Sequence, residues 1–238
     1  MKRLAIIPAR GGSKRIPRKN VKPFLGKPML AYSVETALES GLFDEVMVST
    51  DDPEIAETAE RYGAKVPFVR SAATADDHAA LSDVIAEVLD EYEKRGERFD
   101  AFCCLLATAP LLRGERLEEA WRLMTRWDYD SVFPVVRFGY PVQRCLRIAA
   151  GEEEEGRVSM VWPEYARSRS QDLEPRYHDS GQFYWMRTDR FRRQGTLFAA
   201  RSGAIVLPET EVQDIDTPED WAMAELKYGD VPAAVCVD

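Results

Sequence analysis

From Arg10 to Lys22 the chain carries Arg10, Lys14, Arg15, Arg18, Lys19 and Lys22, with no acidic residue among them. Gly11, Gly12 and Ser13 interrupt the charges. Glycines let backbone N–H groups approach phosphate oxygens, and Lys and Arg neutralise their charge. The segment therefore reads as a cradle for a triphosphate. It matches neither Gly-x-Gly-x-x-Gly nor Gly-x-x-x-x-Gly-Lys-Ser/Thr, so neither a dinucleotide fingerprint nor a P-loop is indicated. The whole chain has a net charge of -9. A cationic island in an acidic protein suits a small anionic ligand, and the overall balance argues against a nucleic-acid partner.

Asp214-Ile215-Asp216 is the second constellation. On a strand, residues two apart project from one face, so both carboxylates would point one way and Ile215 into the core. Paired carboxylates beside triphosphate oxygens suit Mg²⁺, a hard ion that prefers oxygen ligands. Helix capping is an equal alternative, because Thr217-Pro218-Glu219-Asp220 resembles an N-cap with Pro at the first helical position. A third, weaker group is Arg167 to Asp172 with His178 to Gln182. It could bind a polyhydroxylated anion, or be a loop or an interface. Arg70 and Ser82 read as a strand-end arginine and a helix serine, residues more often structural than not.

The elements that must position these groups follow a βα rhythm. Strands are expected at Leu4–Ala9, Glu45–Thr50, Val66–Val69, Ala101–Leu106 and Ser131–Val136. Helices are expected at Lys27–Ser40, after Asp52 with Pro53 in its first turn, at Ala80–Arg95 and at Arg113–Trp127. Such alternation predicts an α/β fold, a mostly parallel sheet with helices on both faces. The rhythm breaks at 137–180, read as an insertion of strands and loops with a hairpin tip at Gly151–Gly156. Glu152 to Glu155 there read as a solvated turn. Strands resume at Gln182–Arg187, Ala204–Leu207 and Val212–Ile215, and a last helix starts at Pro218.

The bulk numbers agree with one domain of 238 residues, 45% apolar and 31% charged. Cys103, Cys104, Cys145 and Cys236 form no Cys-x-x-Cys pair, and His78 and His178 are the only histidines. Reduced thiols in a cytoplasmic protein are expected. The first apolar run is too short for a signal segment or a membrane span.

Ile7-Pro8-Ala9-Arg10-Gly11-Gly12-Ser13-Lys14 with Pro17, Lys19 and Asn20 resembles the signature of the cytidylyltransferases that activate nonulosonic acids. Ser49-Thr50-Asp51-Asp52, Thr108-Ala109-Pro110 and Asp214-Ile215-Asp216-Thr217 extend the resemblance over nearly the whole chain. Phe133 to Phe138, Pro141, Gln143, Arg169 to Pro175, Tyr177-His178-Asp179 and Gly181 to Trp185 resemble the subfamily acting on pseudaminic acid. Sialic acid members usually carry a Gln where this chain has Leu106, and Leu106 cannot make that sugar contact.

The resemblance implies a nucleotide-diphospho-sugar transferase-like fold in one domain, 1–238. It implies transfer of CMP from CTP to a nine-carbon sugar acid for a surface glycan or flagellin. Sialic and legionaminic acids are the alternative acceptors, and a non-catalytic nucleotide sensor is a remote one. The resemblance further implies Mg²⁺ on Asp214 and Asp216, and a homodimer in which 137–180 reaches the partner. Arg10, Gly11, Gly12, Ser13, Lys14 and Lys19 would hold the triphosphate, and Asn20, Arg70 and Ser82 the cytidine. Arg169, Gln171, His178 and Gln182 would meet the sugar. Arg10, Lys14 and Asp214 would be catalytic, Asp214 also helping to deprotonate the anomeric hydroxyl.

Overall fold

The computed structural model describes residues 1–76, 79–149 and 155–230. His78, Cys236 and most of the expected hairpin tip, Gly151 to Glu154, lie outside the described residues.

The chain opens with Arg3–Pro8 (β1), then a hairpin of Pro23–Phe24 (β2) and Lys27–Pro28 (β3). Leu25 and Gly26 turn that hairpin at φ 45° and 93°, the left-handed pair that a two-residue connection demands. Met29–Glu39 (α1), Glu45–Ser49 (β4) and Pro53–Arg61 (α2) follow. Next come Ala72–Ala75 (α3), Leu81–Lys94 (α4), Ala101–Leu105 (β5), Gly114–Trp127 (α5) and Ser131–Arg137 (β6). The irregular region holds Leu146–Ile148 (β7), Val158–Met160 (β8) and Tyr177–Asp179 (β9). Phe183–Arg187 (β10), Thr188–Gln194 (α6), Ser202–Leu207 (β11) and Pro218–Asp230 (α7) complete the described chain.

The main sheet runs β11-β6-β10-β5-β1-β4, with β9 added beside β6. Five of these six strands are mutually parallel, and β10 is antiparallel to both its neighbours. The central strands are buried on both faces, and their period of two divides them between two cores. Ala5 and Ile7 of β1 and Cys103 and Leu105 of β5 face α1, α2 and α5. Leu4 and Ile6, with Phe102 and Cys104, face α4 and α6. The expected three-layer arrangement is therefore present. The adjacent Cys103 and Cys104 point to opposite faces, and burial pushes both thiols above their ordinary range.

Two expected strands are absent. In Val66–Val69, Pro67 lacks an N–H for a ladder, and only a single bridge forms nearby, Met47 to Lys65. Val212–Ile215 joins no ladder among the described residues, and Val212 and Asp214 do not share a burial class as strand neighbours would; Ile215 is nevertheless fully buried between the more open Asp214 and Asp216.

A third apolar cluster matters most for the site. Ile16 of the basic loop packs with Phe24, Met29 and Tyr32 and with Ile215, Trp221 and Ala224. One small core thus joins the cationic loop to the late acidic pair, about two hundred residues apart in sequence.

Candidate active site

A cleft of about 570 Å³ opens at the carboxyl ends of β1 and β5, where parallel α/β sheets place their ligands. That volume suits a small molecule. Arg10, Ser13, Lys14, Arg15, Lys19 and Asn20 line one side, and Arg70 and Leu106 to Thr108 line another.

The basic loop is held in shape from both ends. Asn20 is 8% exposed, and its Nδ2 donates to the Arg10 carbonyl at 2.9 Å, closing the loop on itself. The Gly11 backbone lies so near Asp52 that an added Cβ would overlap Asp52 Oδ2. Asp52 caps α2 as expected, accepting from the Glu54 and Ile55 N–H groups at 3.0 and 3.1 Å. It also accepts from Arg18, whose second partner is Glu54. These contacts hold the Arg18 guanidinium above, and the Asp52 carboxyl below, their ordinary ranges.

The six loop cations therefore do not act alike. Arg18 is committed to the start of α2, and Lys22 lies 4.5 Å over the Trp221 ring. Arg10, Lys14, Arg15 and Lys19 remain on the cleft wall. Arg10, Lys14 and Lys19, the three cations assigned to the triphosphate, are among these four, and Arg15 joins them.

Arg70 is 6% exposed, and its Nε donates to Ser49 Oγ at 3.0 Å. Its Nη2 donates to the Ser49 carbonyl. Burial lowers its pKa, opposed by nearby Asp51. A buried guanidinium at the cleft edge is a fixed positive wall rather than a mobile surface charge. Ser82 lies in the first turn of α4, whose Leu81 borders the cleft, but is not itself on the cleft wall.

Asp216 lines the cleft and meets two of its cations. Arg15 Nη2 lies 2.8 Å, and Lys19 Nζ 3.6 Å, from Asp216 Oδ1. Lys19 also donates to the Ile215 carbonyl. Asp214 is not on the cleft wall; it stands beside Gly181, where an added Cβ would be 3.8 Å from its Cγ. Its carboxyl is held above the usual range by desolvation and then by repulsion from Asp216, with Lys19 opposing. The capping alternative is also realised, by Thr217 and Asp220 of the stretch expected to form it. Thr217 N–H donates to Asp220 Oδ2 at 2.7 Å, and Asp220 N–H to Thr217 Oγ1 at 3.2 Å. Thr217 and Asp220 thereby cap α7 and leave Asp214 and Asp216 available for other work.

Among the described residues no third His, Cys, Asp or Glu groups with these carboxylates. Mg²⁺ is commonly held by one or two carboxylates, its remaining positions going to water and substrate phosphates. Two mutually repelling carboxylates next to a cationic cleft fit that pattern.

The expected sugar-binding residues are dispersed. Gln182 is 2% exposed, and its amide donates to the Glu211 carbonyl at 2.6 Å, so its polar group is spent on packing. Arg169 is exposed and paired with Asp172 at 2.7 Å. His178, on β9, is exposed; its Nδ1 lies 2.8 Å from the Asp179 carbonyl, and its ring centroid 5.0 Å from that of Phe138. Gln171 lines a separate hollow of about 230 Å³ with Arg137, Phe138 and Arg176. None of these four residues lines the large cleft.

Arg15 and the α3 segment, which brings Thr74 and Asp76 to the cleft wall, were not singled out as site residues by sequence. Arg15 is one cation in a run of six. Ala72–Ala75 is a single helical turn, too short for periodicity to register.

The family profile described as Cytidylyltransferase matches residues 4–140. The chain is 43% identical over 228 residues to the pseudaminic acid cytidylyltransferase of Campylobacter jejuni subsp. jejuni, covering 96% of this chain and 97% of that one. It is 31% identical over 234 residues to the CMP-N,N'-diacetyllegionaminic acid synthase of Legionella pneumophila subsp. pneumophila, covering 94% and 95%. Among solved structures, a CMP:2-keto-3-deoxy-manno-octonic acid synthetase in complex with CTP aligns with a TM-score of 0.68. Its 19% identity, over 96% of this chain and 99% of that one, makes it a likeness of fold.

Proposed function

The chain belongs to the cytidylyltransferase family, and on that premise we propose that it transfers CMP from CTP to the anomeric hydroxyl of a nonulosonic acid, pseudaminic acid foremost. The observation that carries this reading is the cleft itself: four cations and a fixed Arg70 on its walls, with Asp216 at one edge. The 43% identity over nearly the full chain supports pseudaminic acid as acceptor. Leu106 supports it too, standing on the cleft wall with its carbonyl taken by Ser33 Oγ at 2.8 Å and its N–H by Gln182. Only an apolar side chain remains there to meet a ligand.

In this reading Arg10 and Lys14 neutralise the triphosphate, and Gly11 to Ser13 bring backbone close to it. Arg70 and Asn20 shape the nucleoside end of the cleft. Asp214, two residues from Asp216, takes the proton of the anomeric hydroxyl. That oxygen bonds to the α-phosphorus as the bond to the departing pyrophosphate breaks. Positioning and charge neutralisation supply most of the rate, as in other phosphate transfers. Asp214 and Asp216 would hold Mg²⁺, which when bound neutralises phosphate oxygens and acidifies the attacking hydroxyl.

Pyrophosphate release from CTP, measured against pseudaminic, legionaminic and sialic acids, tests the proposal. Highest kcat/KM is expected with pseudaminic acid. Turnover of sialic acid alone would reject that acceptor, and no release with any acid would reject the enzyme reading. Asp214→Asn is expected to lower kcat by about a hundredfold or more with thermal unfolding unchanged. Near-normal turnover would remove Asp214 from the mechanism.

A further inference from the structure

Arg15 has no part in the mechanism above, yet it stands on the cleft wall with its guanidinium on Asp216 Oδ1 at 2.8 Å. Lys19 approaches the same oxygen, but the two cations are held differently. The Lys19 side chain is 17% exposed and tied to the Ile215 carbonyl. The Arg15 side chain is 66% exposed, on a long flexible stem. An exposed ion pair of this kind contributes little and is easily exchanged. A guanidinium matches phosphate oxygens with a two-pronged hydrogen bond, and a triphosphate offers it more negative charge than one carboxylate.

We propose that Arg15 exchanges partners: it pairs with Asp216 when no nucleotide is bound and transfers to the triphosphate when CTP enters. This rests on the cleft being the CTP site. The exchange has a consequence for metal. A cation 2.8 Å from Asp216 Oδ1 opposes a divalent ion at that oxygen. Nucleotide binding draws that cation away and uncovers the carboxylate. Metal and nucleotide therefore favour each other's binding, and the coupling is reciprocal. Arg15 is a switch between two anions rather than a group that touches the reacting bond.

Binding measurements separate this from general charge effects. Mn²⁺ is titrated into protein alone and followed by the paramagnetic signal of the free ion. CTP is titrated calorimetrically in the presence of EDTA. Arg15→Ala is expected to bind Mn²⁺ several-fold more tightly than wild type and CTP about ten- to a hundredfold more weakly. Arg15→Lys keeps the charge and loses the fork, so its CTP affinity is expected to lie between. Lys22→Ala removes one cation that stacks on Trp221 outside the cleft and should match wild type in both titrations. Wild-type Mn²⁺ and CTP affinities in Arg15→Ala would overturn the proposal. Equal shifts in Lys22→Ala would overturn it too, leaving only net charge at work. A wild type that binds no CTP even when Mn²⁺ is supplied would instead reject the nucleotide reading beneath it, and this inference with it.

Discussion

Gly11 has no room for a side chain, because Asp52 already fills the space where its Cβ would go. Asp52 cannot step aside cheaply: it caps α2 and is gripped by Arg18. Gly11→Ala is therefore expected to cost about 1–2 kcal/mol of stability, the worth of a lost cap contact. It should also weaken CTP binding, since the loop on the cleft wall must shift. Urea unfolding and CTP calorimetry check both, and unaltered values would mean that Asp52 moves freely. At this scale the sequence was partly legible. It located the cationic loop and the Asp52 cap, which depend on neighbours in the chain. It could not divide Arg18 from Arg15, because their partners Asp52 and Asp216 lie 34 and about two hundred residues away. Gln182 illustrates the same limit, for a polar residue in a polar segment gives no sign of being buried against Glu211.

Elements carry the next constraint, since the Asp214–Asp216 segment belongs to no ladder and must be tethered otherwise. Glu211, three residues earlier, supplies one tether. Arg116 of α5 grips its two carboxylate oxygens from Nε and Nη2 at 2.9 and 3.0 Å, and its carbonyl accepts from Gln182. The Arg116 contact holds the Glu211 carboxyl below its ordinary pKa of 4.5. A depressed carboxyl stabilises the fold above its unfolded-state pKa, and that contribution fades as pH falls through the folded-state value. Arg116→Gln is accordingly expected to cost about 2 kcal/mol at neutral pH, between the surface and fully buried limits. The gap should narrow once pH drops below about 4.5. Urea denaturation at neutral pH and at about pH 3.5 reads it, and a pH-independent gap would assign the effect to packing alone. The central strands and long helices were legible because their periodicity is local, whereas Val66–Val69 and Val212–Ile215 read as strands and form none. The direction of β10 was not, since a run buried on both faces reads the same either way. α6, seven residues of mostly polar side chains, gave too little pattern to find.

At the scale of the whole molecule, the irregular region leaves an apolar face that no described residue covers fully. β7 and β8 pair antiparallel with Leu146 opposite Met160 and Ile148 opposite Val158, so these side chains share one face. Leu146, Ile148 and Val158 are 58%, 68% and 55% exposed, and Trp162 just beyond is 40% exposed. A two-stranded hairpin is marginal by itself in water, and a contiguous exposed apolar patch marks a contact surface. The resemblance implies a homodimer joined through 137–180, so a second copy of this chain is the occupant we propose, with the hairpin faces packed against each other. The rest of the surface favours separation, because a net charge of -9 makes like molecules repel. Association would then depend on this apolar patch and survive added salt, which screens the repulsion but not apolar burial. Sedimentation equilibrium at micromolar protein is expected to give a dimer that persists or tightens as salt rises. Leu146→Lys combined with Ile148→Lys should yield monomers, while CTP binding at the cleft persists, because neither residue lines it. A monomeric wild type would sink the proposal, as would a double variant that stays dimeric, which would place the interface on another face.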